Sequence, residues 1–182
     1  MKACVTGHRP QTLNKLMKYG DFNDIPYMEY NDAVFYTVFK AMKDGFDYFY
    51  SGGAIGVDSD WADAVLYTRE SHSEFADKNI KLEIAIPCEN QDAKWYPKDK
   101  EHYAELLEKA DKLTYVGKKY TFDCMQKRNE YMVDNSDKVF AFWNGEEKGG
   151  TWNTIQYARK KGKDLEIIDL RKICDISNGE EE

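Results

Sequence analysis

Lys148-Gly149-Gly150-Thr151-Trp152-Asn153-Thr154 is the stretch of this sequence best suited to holding a phosphate. It follows the apolar run Val139-Phe140-Ala141-Phe142-Trp143 and opens a segment of helical period, so the N–H groups of a helix start face outward there. Thr151 and Thr154 add hydroxyl donors, and Lys148 adds positive charge. The plainer reading is a glycine turn with Thr151 as N-cap.

A second glycine-rich segment, Ser51-Gly52-Gly53-Ala54-Ile55-Gly56-Val57-Asp58, also joins a strand-like run to a helical one. Glycine lets backbone amides approach a ligand with no Cβ in the way. Its spacing is not the G-x-G-x-x-G of dinucleotide-binding folds. Asp58 competes with an anion for the same helix N-terminus, and so reads as a cap or as an acceptor for ribose hydroxyls.

Thr6-Gly7-His8-Arg9-Pro10 places an imidazole and a guanidinium after the first apolar run. In the segment from 123 to 135, Met125, Asn129, Met132 and Val133 share one helical face. Asn129 then points inward, and Arg128 beside it can reach a phosphate or carboxylate. Pro87 ends another strand-like run, and Trp95-Tyr96-Pro97 follows it with a ring able to stack on a base or to pack over a loop. Should the protein catalyse a reaction, His8, Asp58 and Glu89 are the candidates for acid or base, with no catalytic residue assigned.

The elements that must position these groups alternate along the chain. Strands are expected at Lys2 to Thr6, Asp47 to Tyr50, Lys81 to Ile86, Lys112 to Val116, Lys138 to Trp143 and Leu165 to Ile168. Helices fall between them, near 30–44, 58–68, 98–110, 123–135 and 151–161. Alternation of this kind predicts an α/β, Rossmann-like fold: a mainly parallel sheet of five or six strands with helices on both faces. The connections after strands are the long or glycine-rich ones. In such sheets ligands lie outside the carboxyl ends of the strands, so the loops of Gly7, Gly53, Pro87 and Gly150 are expected to converge on one edge. Residues 1–176 read as one domain and 177–182 as an acidic, solvated tail.

Composition narrows the function. Of 182 residues, 42% are hydrophobic and 32% charged, a globular balance. No apolar run reaches the roughly 20 residues of a membrane helix. Cys4, Cys88, Cys124 and Cys174 include no close pair, which gives no support to a metal site and reads as reduced thiols in the cytoplasm. A formal charge of −7 argues against nonspecific nucleic-acid binding.

Taken together, these segments resemble the SLOG superfamily, most closely its small YpsA-like branch. Thr6-Gly7-His8-Arg9 is similar to the opening of that branch. Ser51 to Asp58 is similar to the S-G-x-A-x-G-I-D of the DNA-processing protein DprA. Tyr96-Pro97, Arg128-Asn129 and Gly149 to Thr154 follow in DprA's order. The resemblance spans Lys2 to about Leu170. It implies a pocket for a nucleotide, NAD-derived or ADP-ribose-type molecule in a bacterial or phage sensor or sequestering protein involved in signalling. It also implies two alternatives, a nucleotide hydrolase (N-glycosidase or phosphoribohydrolase) of the Lonely Guy type and single-stranded DNA binding of the DprA type. Lonely Guy enzymes use a glutamate where this chain has Gln156, an amide that cannot take up a proton. The expected ligand-binding set is Thr6, Gly7, His8, Arg9, Ser51, Gly52, Gly53, Ala54, Asp58, Pro87, Trp95, Arg128, Asn129, Gly149, Gly150, Thr151, Asn153 and Thr154. No metal, cofactor or membrane partner is expected; nucleic acid is disfavoured, and a homo-oligomer is left open.

Overall fold

The computed structural model describes residues 1–17 and 25–175. Short, largely apolar runs become six strands: β1 (Lys2–Thr6), β2 (Tyr48–Ser51), β3 (Lys81–Ile86), β4 (Lys112–Tyr115), β5 (Lys138–Trp143) and β6 (Asp164–Asp169). Segments of helical period become α1 (Pro10–Leu16), α2 (Ile25–Lys43), α3 (Val57–Ser71), α4 (Pro97–Lys109), α5 (Cys124–Asn135), α6 (Gly149–Lys160) and α7 (Leu170–Asp175). The sheet order is β4-β3-β2-β1-β5-β6, and every neighbouring pair is parallel. This is the α/β, Rossmann-like architecture expected from the sequence. All carboxyl ends share one edge, so the loops of Gly7, Gly53, Pro87 and Gly150 all leave from that edge.

Because successive strand residues point to opposite faces, each strand feeds two layers. Val5, Phe49, Ile84 and Phe140 pack against α1, α2, α3, α4 and α7 around the wholly buried Trp61, whose ring lies 5.4 Å from that of Phe140. Cys4, Tyr50, Ala85 and Val139 face Met132 and Val133 of α5 and Ala158 of α6. Full burial of side chains this size is worth about 1.5–3 kcal/mol each, so both layers fix the sheet. Glu83, also on the α5 side, is buried but satisfied: Tyr48, Thr114 and Tyr131 donate hydroxyls to it, and Lys112 lies 3.1 Å away. Burial pushes its pKa up, but these donors together hold it below the ordinary glutamate value.

Two features differ from the sequence reading. Between β1 and the helix expected near 30–44 the chain forms α1, with Pro10 in its first turn and Leu13 buried, and α2 begins at Ile25. The chain after β6 turns into α7, seated by Leu170. The tail expected at 177–182 lies outside the described residues.

Candidate functional site

The chain winds outward from β1 through β2 and β3 to β4, then crosses back to place β5 on the other side of β1. The loops after β1 and β5 therefore diverge to opposite faces and leave a crevice between them, the place where open α/β sheets take ligands. Tight local packing shapes one wall. A Cβ on Gly7 would lie 2.4 Å from the Cβ of Val57, so only glycine lets the β1 loop touch the start of α3. Gly56, with φ near +96°, brings its Cα against the carbonyl of His8, and the Val57 N–H donates to that same oxygen at 3.2 Å.

The crevice is a cavity of about 380 Å³. Thr6, Gly7, His8 and Arg9 line it from the β1 loop, and Ala54, Ile55 and Asp58 from the turn into α3. Met125, Arg128 and Asn129 of α5 form a third side. Asn144, Glu146 and Lys148, with Gly149, Gly150 and Thr151 of α6, complete it.

Its charges are arranged unevenly. Arg128, its side chain 5% exposed, donates from Nη1 to Asp58 Oδ2 at 2.9 Å, so that carboxylate is already neutralised. Gly52 makes room for the pair: a Cβ there would sit 1.1 Å from Arg128 Nη1. The Nε of Arg128 is buried and has no hydrogen-bond partner among the described residues. Arg9, partly buried, makes no ion pair among the described residues. Burial lowers its pKa from the ordinary arginine value; Asp58 pulls the other way and Arg128 adds like-charge repulsion. Among the described residues Arg9 is thus a cation with no ion-pair partner. Opposite it, α6 begins with no side-chain cap and no acidic residue in its first turn, leaving its N-terminal dipole uncompensated. Open space adjoins Gly149 and Gly150.

His8 is engaged differently. Its Nε2 accepts the Asn144 N–H at 3.2 Å, which ties the β1 and β5 loops together. Burial lowers its pKa, against the opposite pull of Glu146 and of the Asn144 side chain, and favours a neutral ring with the proton on Nδ1.

Several residues expected in the ligand-binding set sit elsewhere. The Ser51 hydroxyl donates to the Asp58 carbonyl and accepts the Gly53 N–H, so it shapes the turn. Gly52 and Gly53 lie behind the wall, Gly53 at φ near +60° against Ile84 and Tyr103. Pro87 borders a separate cavity, and Trp95 packs on Tyr103 with ring centroids 5.2 Å apart. Asn153 is exposed on α6, outside the lining. The two threonines correct the hydroxyl expectation: Thr151 lines the cavity but donates to the Gly7 carbonyl at 2.9 Å, and Thr154 donates to Gly150 behind the wall while accepting from Asn129. Glu89 is exposed and away from the cavity. Thr12, Asn144 and Glu146 were not singled out from sequence. Asn144 follows β5 directly, so the rule that found Gly7 also applied to it. Among the described residues no three or more His, Cys, Asp or Glu side chains are grouped to hold a metal ion, and no helix is long and apolar enough to cross a membrane.

The chain is similar to several known proteins. The SPbeta prophage-derived protein YoqJ of Bacillus subtilis (strain 168) is 35% identical over 126 residues, covering 62% of this chain and 69% of that protein. A UPF0398 protein of Bacillus cereus (strain B4264) is 28% identical over 162 residues, covering 87% and 83%. Among solved structures, DNA processing protein A from Helicobacter pylori aligns with a TM-score of 0.56 at 16% identity, over all of this chain and 74% of that one. The structural-genomics target TM1055 aligns at 0.54 and 20% identity, over 90% and 71%. At those identities the likeness is one of fold. The model of the YspA SLOG family matches residues 3–173, and the chain belongs to that family.

Proposed function

We propose that the protein binds a nucleotide-derived small molecule, a nucleotide or an NAD-derived or ADP-ribose-type ligand, in the cavity between the β1 and β5 loops, and acts as a sensor or sequestering protein. The observation that carries this reading is Arg9: a partly buried guanidinium with no ion-pair partner among the described residues, lining a cavity that the uncapped start of α6 also enters. Both features favour an anion, and a phosphate satisfies both at once. Asn129, Thr12 and Glu146 are among the polar groups that line the cavity beside them, available to a sugar or base.

Binding without chemistry is favoured over hydrolysis by the state of the candidate acids and bases. Asp58 is held by Arg128, the Nε2 of His8 is occupied by a backbone N–H, and Glu89 is outside the cavity. A thermal-shift screen over nucleotides, NAD, ADP-ribose and cyclic derivatives tests the reading, since a ligand of the folded state raises its stability. Chromatography of the same mixtures then separates binding from turnover. Recovery of every compound unaltered, with a shift for at least one, is the expected result; no shift across the phosphorylated panel rejects it.

A second reading, single-stranded nucleic acid, draws on the loop after β4. Lys118 and Lys119 are exposed there beside Tyr120, and Phe122 is 99% exposed. Cations with stackable rings suit single strands, and the Helicobacter protein is described by its single-stranded DNA binding mode. Oligonucleotide affinity that falls steeply with salt is the result that favours it.

A further inference from the structure

Cys88 and Cys124 stand 36 positions apart in the chain, yet their Sγ atoms lie 3.9 Å apart. Cys88 follows β3 and Cys124 is the first residue of α5. The loops that carry them are laced together: the Val116 N–H donates to the Ile86 carbonyl at 2.8 Å, and the Glu89 N–H to Lys118 at 3.4 Å. The two thiols are therefore held as neighbours by the sheet edge. A disulfide needs its sulfurs at about 2.05 Å, so the pair must close by a little under 2 Å, a movement within reach of side-chain rotation.

The two cysteines differ in access. Cys124 borders a cavity of about 420 Å³, lined also by Pro87, Val116, Lys118, Lys119 and Lys127. Cys88 is not part of that lining, and burial together with the neighbouring sulfur raises its pKa. Cys4, in contrast, is wholly buried between β1 and α5, and burial pushes its thiol up to about 12.

We infer that Cys88 and Cys124 form a reversible dithiol–disulfide site, oxidised by hydroperoxides that reach Cys124 through the second cavity. The sulfur of Cys124 attacks the peroxide: an S–O bond forms, the O–O bond breaks, and the departing hydroxide takes the Cys124 proton to become water. The sulfur of Cys88 then attacks the resulting sulfenic acid. The S–S bond forms, the S–O bond breaks, and the second hydroxide leaves as water with the Cys88 proton. Two thiols and one hydrogen peroxide give one disulfide and two waters, and a small-molecule dithiol reverses the change. The bond ties the first turn of α5 to the end of β3, one turn before Arg128. The inference does not depend on the ligand of the larger cavity.

The test is peptide mapping of the full chain after hydrogen peroxide, with alkylation during denaturation and trypsin digestion. The expected product joins Leu82–Lys94 to Tyr120–Lys127 with loss of two hydrogens, titratable thiols fall from the four of the sequence to two, and dithiothreitol restores them. In Cys88→Ser, the sulfenic-acid trap dimedone should mark Cys124; in Cys124→Ser, it should leave Cys88 unmarked. Recovery of both wild-type peptides as alkylated free thiols overturns the proposal, as does linkage of either to Cys4 or Cys174. A dimedone adduct on Cys88 overturns the order of attack. The wild-type map stands whether or not a variant folds.

Discussion

Arg128 Nη1 and Asp58 Oδ2 meet at 2.9 Å across 70 positions of sequence, joining α5 to α3 at the floor of the cavity. The contact exists because Gly52 has no side chain. Its Cβ would lie 1.1 Å from Nη1 and 2.5 Å from the carboxylate oxygen, so Gly52→Ala must expel the guanidinium. Separating a buried ion pair is destabilising by about 3–5 kcal/mol, and a loss on the order of 3 kcal/mol is expected for this variant. Urea unfolding measures it. A stability equal to the parent's would mean that Arg128 has another place to go and that the pair does not hold the floor.

Arg9 should behave in the opposite way. With no ion-pair partner among the described residues, its removal gives up little stability. Its contribution is to an incoming anion, and a hydrogen bond to a charged group is worth about 1.5–3 kcal/mol. Arg9→Ala is expected to keep the parent's melting temperature and to weaken phosphorylated ligands by roughly tenfold or more, while the matching nucleoside loses little. Titration calorimetry with nucleotide and nucleoside makes the comparison. Equal losses for both ligands would place the phosphate elsewhere.

The difference between these two arginines marks what could be read from sequence. The sheet was legible because Val5, Phe49, Ile84 and Phe140 fall in short apolar runs that alternate with segments of helical period, and because glycine-rich connections follow those runs. Position after a strand also picked out Gly7, Arg9 and Gly150, which line the cavity. It could not tell Ser51 or Thr154 from them, since their hydroxyls turn back onto the backbone at Asp58 and Gly150. That depends on packing between segments far apart in sequence, as does the meeting of Cys88 with Cys124. The helices α1 and α7 were missed for a different reason: with 7 and 6 residues, they are too short to display a period.

Asp60 gives a pH dependence with a definite sign. Burial, reinforced by Asp63 and Asp58, raises its pKa from 3.8 to about 6, against the opposing hydroxyl of Tyr30, which donates at 2.6 Å, and the charge of His102. A carboxyl with a raised folded pKa binds more protons in the folded state. It therefore adds stability as pH falls from about 6 toward 4 and withdraws it as pH rises. Asp60→Asn keeps an oxygen for Tyr30 without the charge. The variant should be more stable than the parent at pH 7, and that advantage should fade by pH 4. Urea unfolding of both proteins at the two pH values checks this, and an advantage that is constant with pH would assign the effect to something other than titration.

The start of α6 separates a ligand site from a mere helix turn. Thr151 donates its hydroxyl to the Gly7 carbonyl, so Thr151→Ala should lower stability by about 1 kcal/mol, one net hydrogen bond, with little change in affinity. Gly150→Asp should do the reverse. A Cβ at Gly150 meets open space, so the new side chain fits, and a carboxylate in the first turn of a helix stabilises it by about 0.3–1 kcal/mol. The same carboxylate occupies the dipole that a phosphate needs and repels it. Gly150→Asp is therefore expected to melt no earlier than the parent while binding phosphorylated compounds at least tenfold more weakly, a drop of about 1.4 kcal/mol. Melting temperature and affinity measured on both variants decide the matter. If Gly150→Asp binds a phosphorylated ligand as tightly as the parent, α6 is only a helix with a glycine start, and the phosphate must rest on Arg9 alone.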